Sequence, residues 1–400
     1  MSAEVIISGG GMVGATLACA LAGKGRRVAV AEAHEPQGFE PDSDFDLRVS
    51  AISPASEQVF RQLGVWPLIA RRRLYAYRRM HVWDAVSGGA IDFDALELGE
   101  PRLGHIIENR VIQDALLERL RGLRGVQWRC PARVSDYALG PEGIEVTLER
   151  GESLAGRLLV GADGPASKVR HLAGIRFRAR DYGQAAVVAN VHTQRPMEAT
   201  AWQCFLPTGP LAFLPLAEHV AAIVWSTTFE EADRLVGLAD EAFRLELETA
   251  FQSRLGSIER TSRRVSFPLR GGQAEPYVVP RIALVGDAAH TIHPLAGQGA
   301  NLGIMDAATL AEVLVDSHRD PGSLRVLRRY ERARKGDNLL TMRAMEGFRY
   351  LFAGGLRPLA WIRGTGLSLT NAVQPVKHLL MRHAMGLAGE RPRLARGLPL

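Results

Sequence analysis

Apolar positions along this chain follow two rhythms, and the change from one to the other marks its organisation. Val5–Ser8 is a short, unbroken apolar run, the pattern of a strand buried on both faces. Glycines follow, then a helical stretch of small and apolar residues, then a second buried strand over Arg27–Ala31 closed by Glu32. His34–Asp46 is rich in Pro, Gly and Asp, lacks periodicity, and is expected to be surface connection. Next comes an extended segment containing Arg48, leading to a helix that Ser53 caps with Pro54 at its first position. Residues 75–100 alternate as two short strands would. Ile106–Arg121 reads as a helix with Asn109 near its cap, and Gly125–Leu148 as three strand-like pieces. Gly156–Ala162 is another buried run, ending in Asp163-Gly164 ahead of a helix.

From Ile175 to about Pro268 the rhythm changes. Tyr182–Thr193, Ala201–Leu206, Gly209–Leu216 and Val220–Thr228 are rich in β-branched and aromatic residues and joined by short turns, with a helix at about Asp240–Arg254. This predicts an antiparallel sheet inserted into an α/β unit. Arg281–Asp287 returns to the parallel-strand pattern, Gly299–Asp316 continues as a helix, and the chain from Ser323 onward is helical, broken at Gly354-Gly355, Pro358 and Pro375.

The glycines carry the first chemical signal. Gly9, Gly11 and Gly14 stand at G-x-G-x-x-G spacing between strand and helix. The first suits a tight turn, the second lets a pyrophosphate approach the backbone, and the third lets helix and strand pack closely. Helix amides beyond Gly11 then face the phosphates. Glu32, 21 residues after Gly11, is placed to accept hydrogen bonds from ribose hydroxyls. A dinucleotide site is expected here, against the plainer reading of a glycine-rich turn.

Charge adds one asymmetry. The chain of 400 residues carries a net +6, but from Leu324 onward there are 15 Lys/Arg against four acids. Either a solvated helical face or an anionic surface contact accounts for this. The three cysteines, Cys19, Cys130 and Cys204, are far apart and form no C-x-x-C, which points to reduced thiols in a cytosol-like compartment. Val5–Ala22 is apolar enough to suggest a membrane span, but its glycines fit the strand–turn–helix reading better, and without a basic n-region no signal peptide is expected. No G-x-S-x-G, C-x-x-C set or nucleophile–base pair is evident, and His290 with His293 lacks a metal-site context. Nucleic-acid binding is not expected.

Leu284–Asp306 repeats the strand-then-acid pattern. Asp287 ends the strand, and small residues, Pro294 and a Gly-Gln-Gly turn lead into a helix whose amides could face an electron-rich ligand atom. Three nucleotide-type loops are too many for a simple dehydrogenase. Gly9–Gly14 with Glu32, VGADGPASKVR over Val160–Arg170, and GDAAHTIHP over Gly286–Pro294 resemble the three motifs of the flavoprotein aromatic hydroxylases, over essentially the whole chain. DLRVSAIS, RQLGVW, LGHIIEN, VGDAAHTIHPLAGQGANLG and the terminal RHAMGL narrow the resemblance to the ubiquinone-biosynthesis hydroxylases, most of all those acting on a polyprenylphenol at ring C5. Ala300 and Pro165 depart from that family's usual valine and alanine without removing a polar contact.

The resemblance implies an FAD-binding, glutathione-reductase-like Rossmann domain (1–74, 101–175 and 269–330), an inserted antiparallel substrate domain (75–100 and 176–268) and a helical C-terminal region (331–400). It implies FAD contacts from Gly9, Gly11, Met12, Val13, Gly14, Glu32, Arg48, Arg110, Asp163, Gly286, Asp287, Gly297, Gly299, Ala300 and Asn301. Pro294, Gly297 and Gln298 would form the flavin-proximal catalytic loop, with no protein nucleophile. Read without the resemblance, Arg48 is equally a solvated arginine. The implied reaction has NAD(P)H reduce FAD, O2 add to the reduced flavin, and the flavin C4a-hydroperoxide hydroxylate a polyprenylphenol. The implied setting is cytoplasmic, with peripheral inner-membrane contact through the basic C-terminus, other ubiquinone-biosynthesis proteins and an oligomer as further expectations. Three readings compete: a sister ubiquinone-pathway hydroxylase acting at another ring carbon, a flavin-dependent prenyl reductase or desaturase, and a non-enzymatic FAD-binding subunit.

Overall fold

The computed structural model describes all residues except 1, 293–297, 353–369 and 372. Four helices recur below: α1 (Met12–Ala22), α2 (Gln298–Val315), α3 (Leu324–Phe352) and α4 (Gln374–Ala384).

The short apolar runs pair into one six-stranded sheet in the order Val278–Val279, Ile282–Leu284, Leu158–Gly161, Val5–Ser8, Val28–Ala31, Val126–Arg129. All its pairs are parallel except that between Val278–Val279 and Ile282–Leu284. Parallel strands covered on both faces need apolar residues throughout, and Val5–Ser8, Val28–Ala31 and Leu158–Gly161 are buried at every position. α1 lies against α2 and the helix Asn109–Arg121, so the main core sits between this sheet and those helices.

The β-branched and aromatic segments build a nine-stranded sheet. It runs from His290–Thr291 through Val265–Glu275, Arg176–Thr193, Val220–Thr228, Gly209–Ala217 and Thr200–Leu206 to Arg79–Asp84 and Ala90–Asp94, with Ile258–Thr261 beside Arg176–Thr193. It is mixed, not purely antiparallel: Thr200–Phe205 runs parallel to Arg79–Asp84. Its longest strand begins at Arg176, before the expected Tyr182, and continues through a register shift between Asp181 and Gln184. Asp181 accepts the Gly183 amide at 2.8 Å and Gly183 takes φ +65°, which lets the strand bulge and carry on. Val265–Glu275 crosses the expected boundary at 268.

Two helix expectations need correction. Ile106 and Ile107 belong to a strand, Gly104–Glu108, held between Val49–Ile52 and Tyr75–Tyr77, and the helix starts only at Asn109. Both isoleucines are buried in the sheet, so packing overrides the helical period. The helix at Asp240–Arg254 is instead Asp240–Ala250, preceded by a separate helix Phe229–Gly237; extended backbone at Leu238 and Ala239 divides them. Among the described residues, no helix is long and apolar enough to cross a membrane.

Candidate functional site

Strand register brings the three loops to one edge. Ser8 pairs with both Gly161 and Ala31, and Gly161 with Leu284, so the carboxyl ends of four parallel strands are level. Gly9–Gly14, Glu32, Asp163 and Gly286-Asp287 follow those ends, where open α/β sheets place their ligands. The glycines make the approach possible. Gly9 takes φ +99°, and a Cβ there would lie 2.3 Å from the Ala162 carbonyl oxygen; a Cβ on Gly14 would lie 1.9 Å from that of Gly9. Val13 joins the first loop to the third, since a Cβ on Gly303 would meet its Cγ2 at 2.5 Å and one on Gly286 at 3.1 Å.

The donor set fits a pyrophosphate. Gly11 caps α1 without a side-chain hydrogen bond, the first turn holds no acid, and nothing lies within 4 Å of where a Gly11 Cβ would project. The first amides of α1, at Met12 and Val13, therefore face open space with the positive end of the helix behind them. Glu32 stands beside them, its carboxylate accepting the Gly10 amide at 2.5 Å and the His34 amide at 3.1 Å. It holds the glycine turn in shape while standing where a ribose would lie.

Asp163 and Arg110 are engaged inside the protein. The Asp163 carboxylate accepts the Ser167 hydroxyl and the Lys168 and Val169 amides, at 2.8 and 3.1 Å for the amides, and so caps the short helix Lys168–Leu172. Arg110 Nε donates to Glu108 at 3.0 Å, and its guanidinium also donates to the Asp44 carbonyl. The buried Glu108 carboxylate also receives Arg73 and the Asp46 amide, each at 2.7 Å, and thereby fastens the connection after Glu32. Arg48 is exposed but lies within electrostatic reach of Asp287. Asp287 is open to solvent yet enclosed by protein on its other sides, a recess, not a flat surface. Burial pushes its carboxyl upward, opposed by His290 and Arg48.

His290 is buried, with Nε2 2.5 Å from Asp306 Oδ2. Asp306, fully buried on α2, also accepts the Gly286 amide at 3.1 Å, Arg334 Nε at 2.8 Å and Asn338 Nδ2 at 3.2 Å. Burial alone would raise this carboxyl, but His290 and Arg334 overcome it and hold it at about 2. One carboxylate thus ties the turn bearing Asp287 to α2 and α3.

Beyond α2 lies a cavity of about 640 Å³. The large sheet supplies its apolar wall with Met80, Val82, Ile91, Phe93 and Phe205, while α3 contributes Arg334, Asn338 and Thr341, and α4 Leu380, Met381 and His383. Ser53 and Asn301 form the part nearest the third loop. The buried Asn301 amide bonds the Ser53 amide at 3.0 Å and the Ala51 carbonyl at 2.8 Å, clamping the first turn of α2 to the strand Val49–Ile52. Gln203, 6% exposed, faces the cavity with no hydrogen-bond partner for its side-chain amide among the described residues.

Of the residues singled out from sequence, Gly9–Gly14, Glu32, Arg48, Asp163 and Gly286-Asp287 come together at the strand ends. Gly299, Ala300 and Asn301 begin α2, next to the cavity. Pro294 and Gly297, like His293, lie outside the described residues, and Gln298 is described only as the first residue of α2. Sequence reasoning missed Glu108, Asp306, Arg334, Asn338 and Gln203. Asp306 and Arg334 are 28 positions apart and no local motif links them.

Three nucleotide-type loops around one recess, with an apolar cavity behind a large sheet, are the architecture of an FAD-dependent monooxygenase. A family model described as "FAD binding domain" matches residues 2–339. The chain is 39% identical to the ubiquinone hydroxylase UbiL of Rhodospirillum rubrum, covering 100% of this chain and 94% of that protein. It is also 39% identical to the 3-demethoxyubiquinol 3-hydroxylase of Escherichia coli (96% and 98% covered) and 36% identical to the human mitochondrial ubiquinone biosynthesis monooxygenase COQ6 (95% and 92%). Among solved structures, pqsL of Pseudomonas aeruginosa superposes with a TM-score of 0.77 at 26% identity, covering 92% of this chain and 99% of that one. The p-nitrophenol 4-monooxygenase PnpA of Pseudomonas putida, at 20% identity, shares the fold with a TM-score of 0.79, covering 98% and 99%. The chain belongs to the ubiquinone-biosynthesis FAD-dependent hydroxylases. It is an aromatic monooxygenase with FAD as cofactor and NAD(P)H as co-substrate.

Proposed function

We propose that this protein hydroxylates the ring of a polyprenylphenol at C5. The observation that carries this reading is the apolar cavity of about 640 Å³ that reaches Ser53 and Asn301 at the start of α2. A volume of that order suits an aromatic head with the first part of a prenyl chain, and its mostly apolar lining suits the chain. The discontinuous division at 1–74, 101–175 and 269–330, with the substrate region at 75–100 and 176–268 and the helical region at 331–400, is part of the same proposal.

FAD, when bound, accepts hydride from NAD(P)H and activates O2; the chain's residues bind, orient and shield. In this reading the α1 amides at Met12 and Val13 hold the pyrophosphate and Glu32 the adenosine ribose, with Asp287 holding a hydroxyl of the chain between pyrophosphate and ring. Arg48 offsets the Asp287 charge. Asp163 and Arg110 contribute by fixing the walls of the site. Gly286, Gly299 and Ala300 let backbone approach the cofactor, and the flavin-proximal role of Pro294, Gly297 and Gln298 is part of the same proposal. Asn301 fixes the start of α2 by its grip on Ala51 and Ser53. Gln203 orients the substrate, its amide able to donate to or accept from a ring oxygen inside an otherwise apolar wall. The apolar walls keep water away from the reacting ring.

A second reading keeps everything but the ring carbon. A relative of equal identity is named for 3-demethoxyubiquinol, so hydroxylation at a neighbouring carbon is the alternative. Oxygen uptake in the presence of FAD, NAD(P)H and short-chain prenylphenols of defined substitution tests both. Uptake matched by hydroxylated product for the C5-unsubstituted phenol supports the first; product only from the demethoxyquinol supports the second; neither product refutes both.

A further inference from the structure

The amino ends of the parallel strands carry a second recess, of about 540 Å³, away from the three loops. Glu4, Arg157 and Arg281 immediately precede Val5–Ser8, Leu158–Gly161 and Ile282–Leu284, and Arg26 stands two positions before Val28–Ala31. The loops at the carboxyl ends are one strand length off, roughly 13 Å. The turn at Pro141 and Glu142 and the connection 317–321 after α2 complete the walls. Arg281 fixes the floor. Its backbone takes φ +61°, a left-handed conformation that a residue with a side chain holds only where its surroundings require it. Its amide donates to the Gly322 carbonyl at 2.8 Å, and its guanidinium donates to the Arg157 carbonyl at 2.9 Å and pairs with Asp320 at 2.8 Å. A Cβ on Gly322 would lie 2.4 Å from the Arg157 carbonyl oxygen, so the connection is pressed onto the strand ends.

The charges in this recess do not balance. Four arginines and His318 line it against three acids, and two of the acids are spent. Glu4 holds Arg26 at 3.0 Å, and Asp320 holds Arg281. Arg157, His318 and Arg319 are exposed, and their side chains have no partner among the described residues. Glu142, the third acid, is likewise exposed and unpaired. Apart from Pro141 and Pro321 every lining residue is polar, so the recess suits an ion or a polar molecule, not an apolar chain. Uncompensated cations in a concave site focus positive potential inside it.

We propose that this recess binds the phosphate dianion of a small phosphomonoester, with Arg157 and Arg319 as the principal donors, His318 as a third, and Glu142 accepting from a hydroxyl of the esterified group. Guanidinium forks match phosphate oxygens two at a time, and a dianion can serve both arginines, whereas a carboxylate satisfies one fork only. The volume exceeds what a bare phosphate fills, which favours the ester over the free ion. A ligand here has the whole sheet between it and the three loops, so it acts as an effector and not as a reactant. The proposal stands independently of the hydroxylase reading.

The test is isothermal titration calorimetry of the full, FAD-loaded chain in phosphate-free chloride buffer, with ribose 5-phosphate, AMP, inorganic phosphate and unphosphorylated ribose as titrants. It is repeated for Arg157→Gln with Arg319→Gln, exposed positions whose side chains have no partner to lose. Flavin content and melting of the ligand-free double variant are expected to match the parent, which separates lost binding from lost fold. The two esters are expected to bind at one site per chain, ribose not at all, and the double variant about tenfold or more weaker, the effect of losing charge-assisted hydrogen bonds. Saturating ester should also raise the melting temperature of the parent and not of the variant. Inorganic phosphate binding as tightly as the esters upholds the phosphate site and assigns it to the free ion. Binding by ribose alone, equal binding by parent and variant, or no binding of any phosphate would overturn the proposal. So would AMP that binds only by releasing flavin, which would place it in the cofactor site. Polyglutamate bound where no phosphate binds would likewise overturn it and assign the recess to an acidic protein segment.

Discussion

His290 Nε2 lies 2.5 Å from Asp306 Oδ2, and the other oxygen of that carboxylate holds Arg334 at 2.8 Å. Between them the two contacts connect the turn carrying Asp287 to the helix that walls the cavity. Asp306→Asn leaves Arg334 buried without its partner charge, which costs about 3–5 kcal/mol at neutral pH. The Asp306 carboxyl is depressed from 3.8 to about 2 when folded, so its contribution is complete above 3.8 and is lost as pH falls toward 2. The depression corresponds to about 2 kcal/mol. Urea unfolding at pH 7 and pH 3 is expected to show a smaller difference between variant and parent at the lower pH. A constant difference would remove the electrostatic account.

Gly14→Ala puts a methyl group 1.9 Å from the Gly9 carbonyl oxygen. The turn must open, at a cost of about 1–3 kcal/mol, and the purified protein should lose most of its flavin. Gly336→Ala, on the exposed face of α3 with nothing within 4 Å of its new methyl, should retain flavin and gain about 0.5–1 kcal/mol. Flavin absorbance and thermal melting read both.

Gln203 has its amide in an apolar wall with no partner among the described residues. Gln203→Leu should raise KM for the phenol about tenfold, the effect of one lost hydrogen bond to a ring oxygen, while making the substrate-free protein about 1 kcal/mol more stable. A merely structural glutamine would lose stability on the same change, so melting and steady-state kinetics together separate the two roles.

Ala344 lines the cavity on α3, beside Leu340 and Thr341. Ala344→Phe removes room where a chain would run. It is expected to raise KM several-fold for long prenyl chains and to leave a phenol with a single prenyl unit nearly unaffected. Equal losses across chain lengths would place the chain elsewhere.

Much of the frame was legible because parallel strands covered on both faces need unbroken apolar runs. Val5–Ser8 was bounded as found, and the runs about Arg27–Ala31 and Arg281–Asp287 each contain a strand. Ser53 and Pro54 also announced their helix, with Ser53 accepting the Ser56 amide at 3.3 Å. What stayed hidden depends on contacts distant in sequence. Ile106 and Ile107 have a helical period yet are held in a sheet by Val49–Ile52 and Tyr75–Tyr77. The site divides in the same way. Glycine spacing revealed the three loops, whereas Asp306 has partners at 286 and 290 on the preceding turn and at 334 and 338 that become neighbours only when α3 packs on α2. Asp163 shows a motif acid acting as a helix cap, a use its spacing does not disclose.

The central claim is oxygen transfer to a prenylated ring inside this cavity. Reaction of the FAD-loaded protein with NAD(P)H, 18O2 and a short-chain prenylphenol, followed by mass spectrometry and NMR of the product, tests it most directly. The predicted result is one 18O atom per product molecule, attached at ring C5, with the prenyl chain intact. An unlabelled product with a reduced prenyl chain, or NAD(P)H consumed without labelled product, would contradict it.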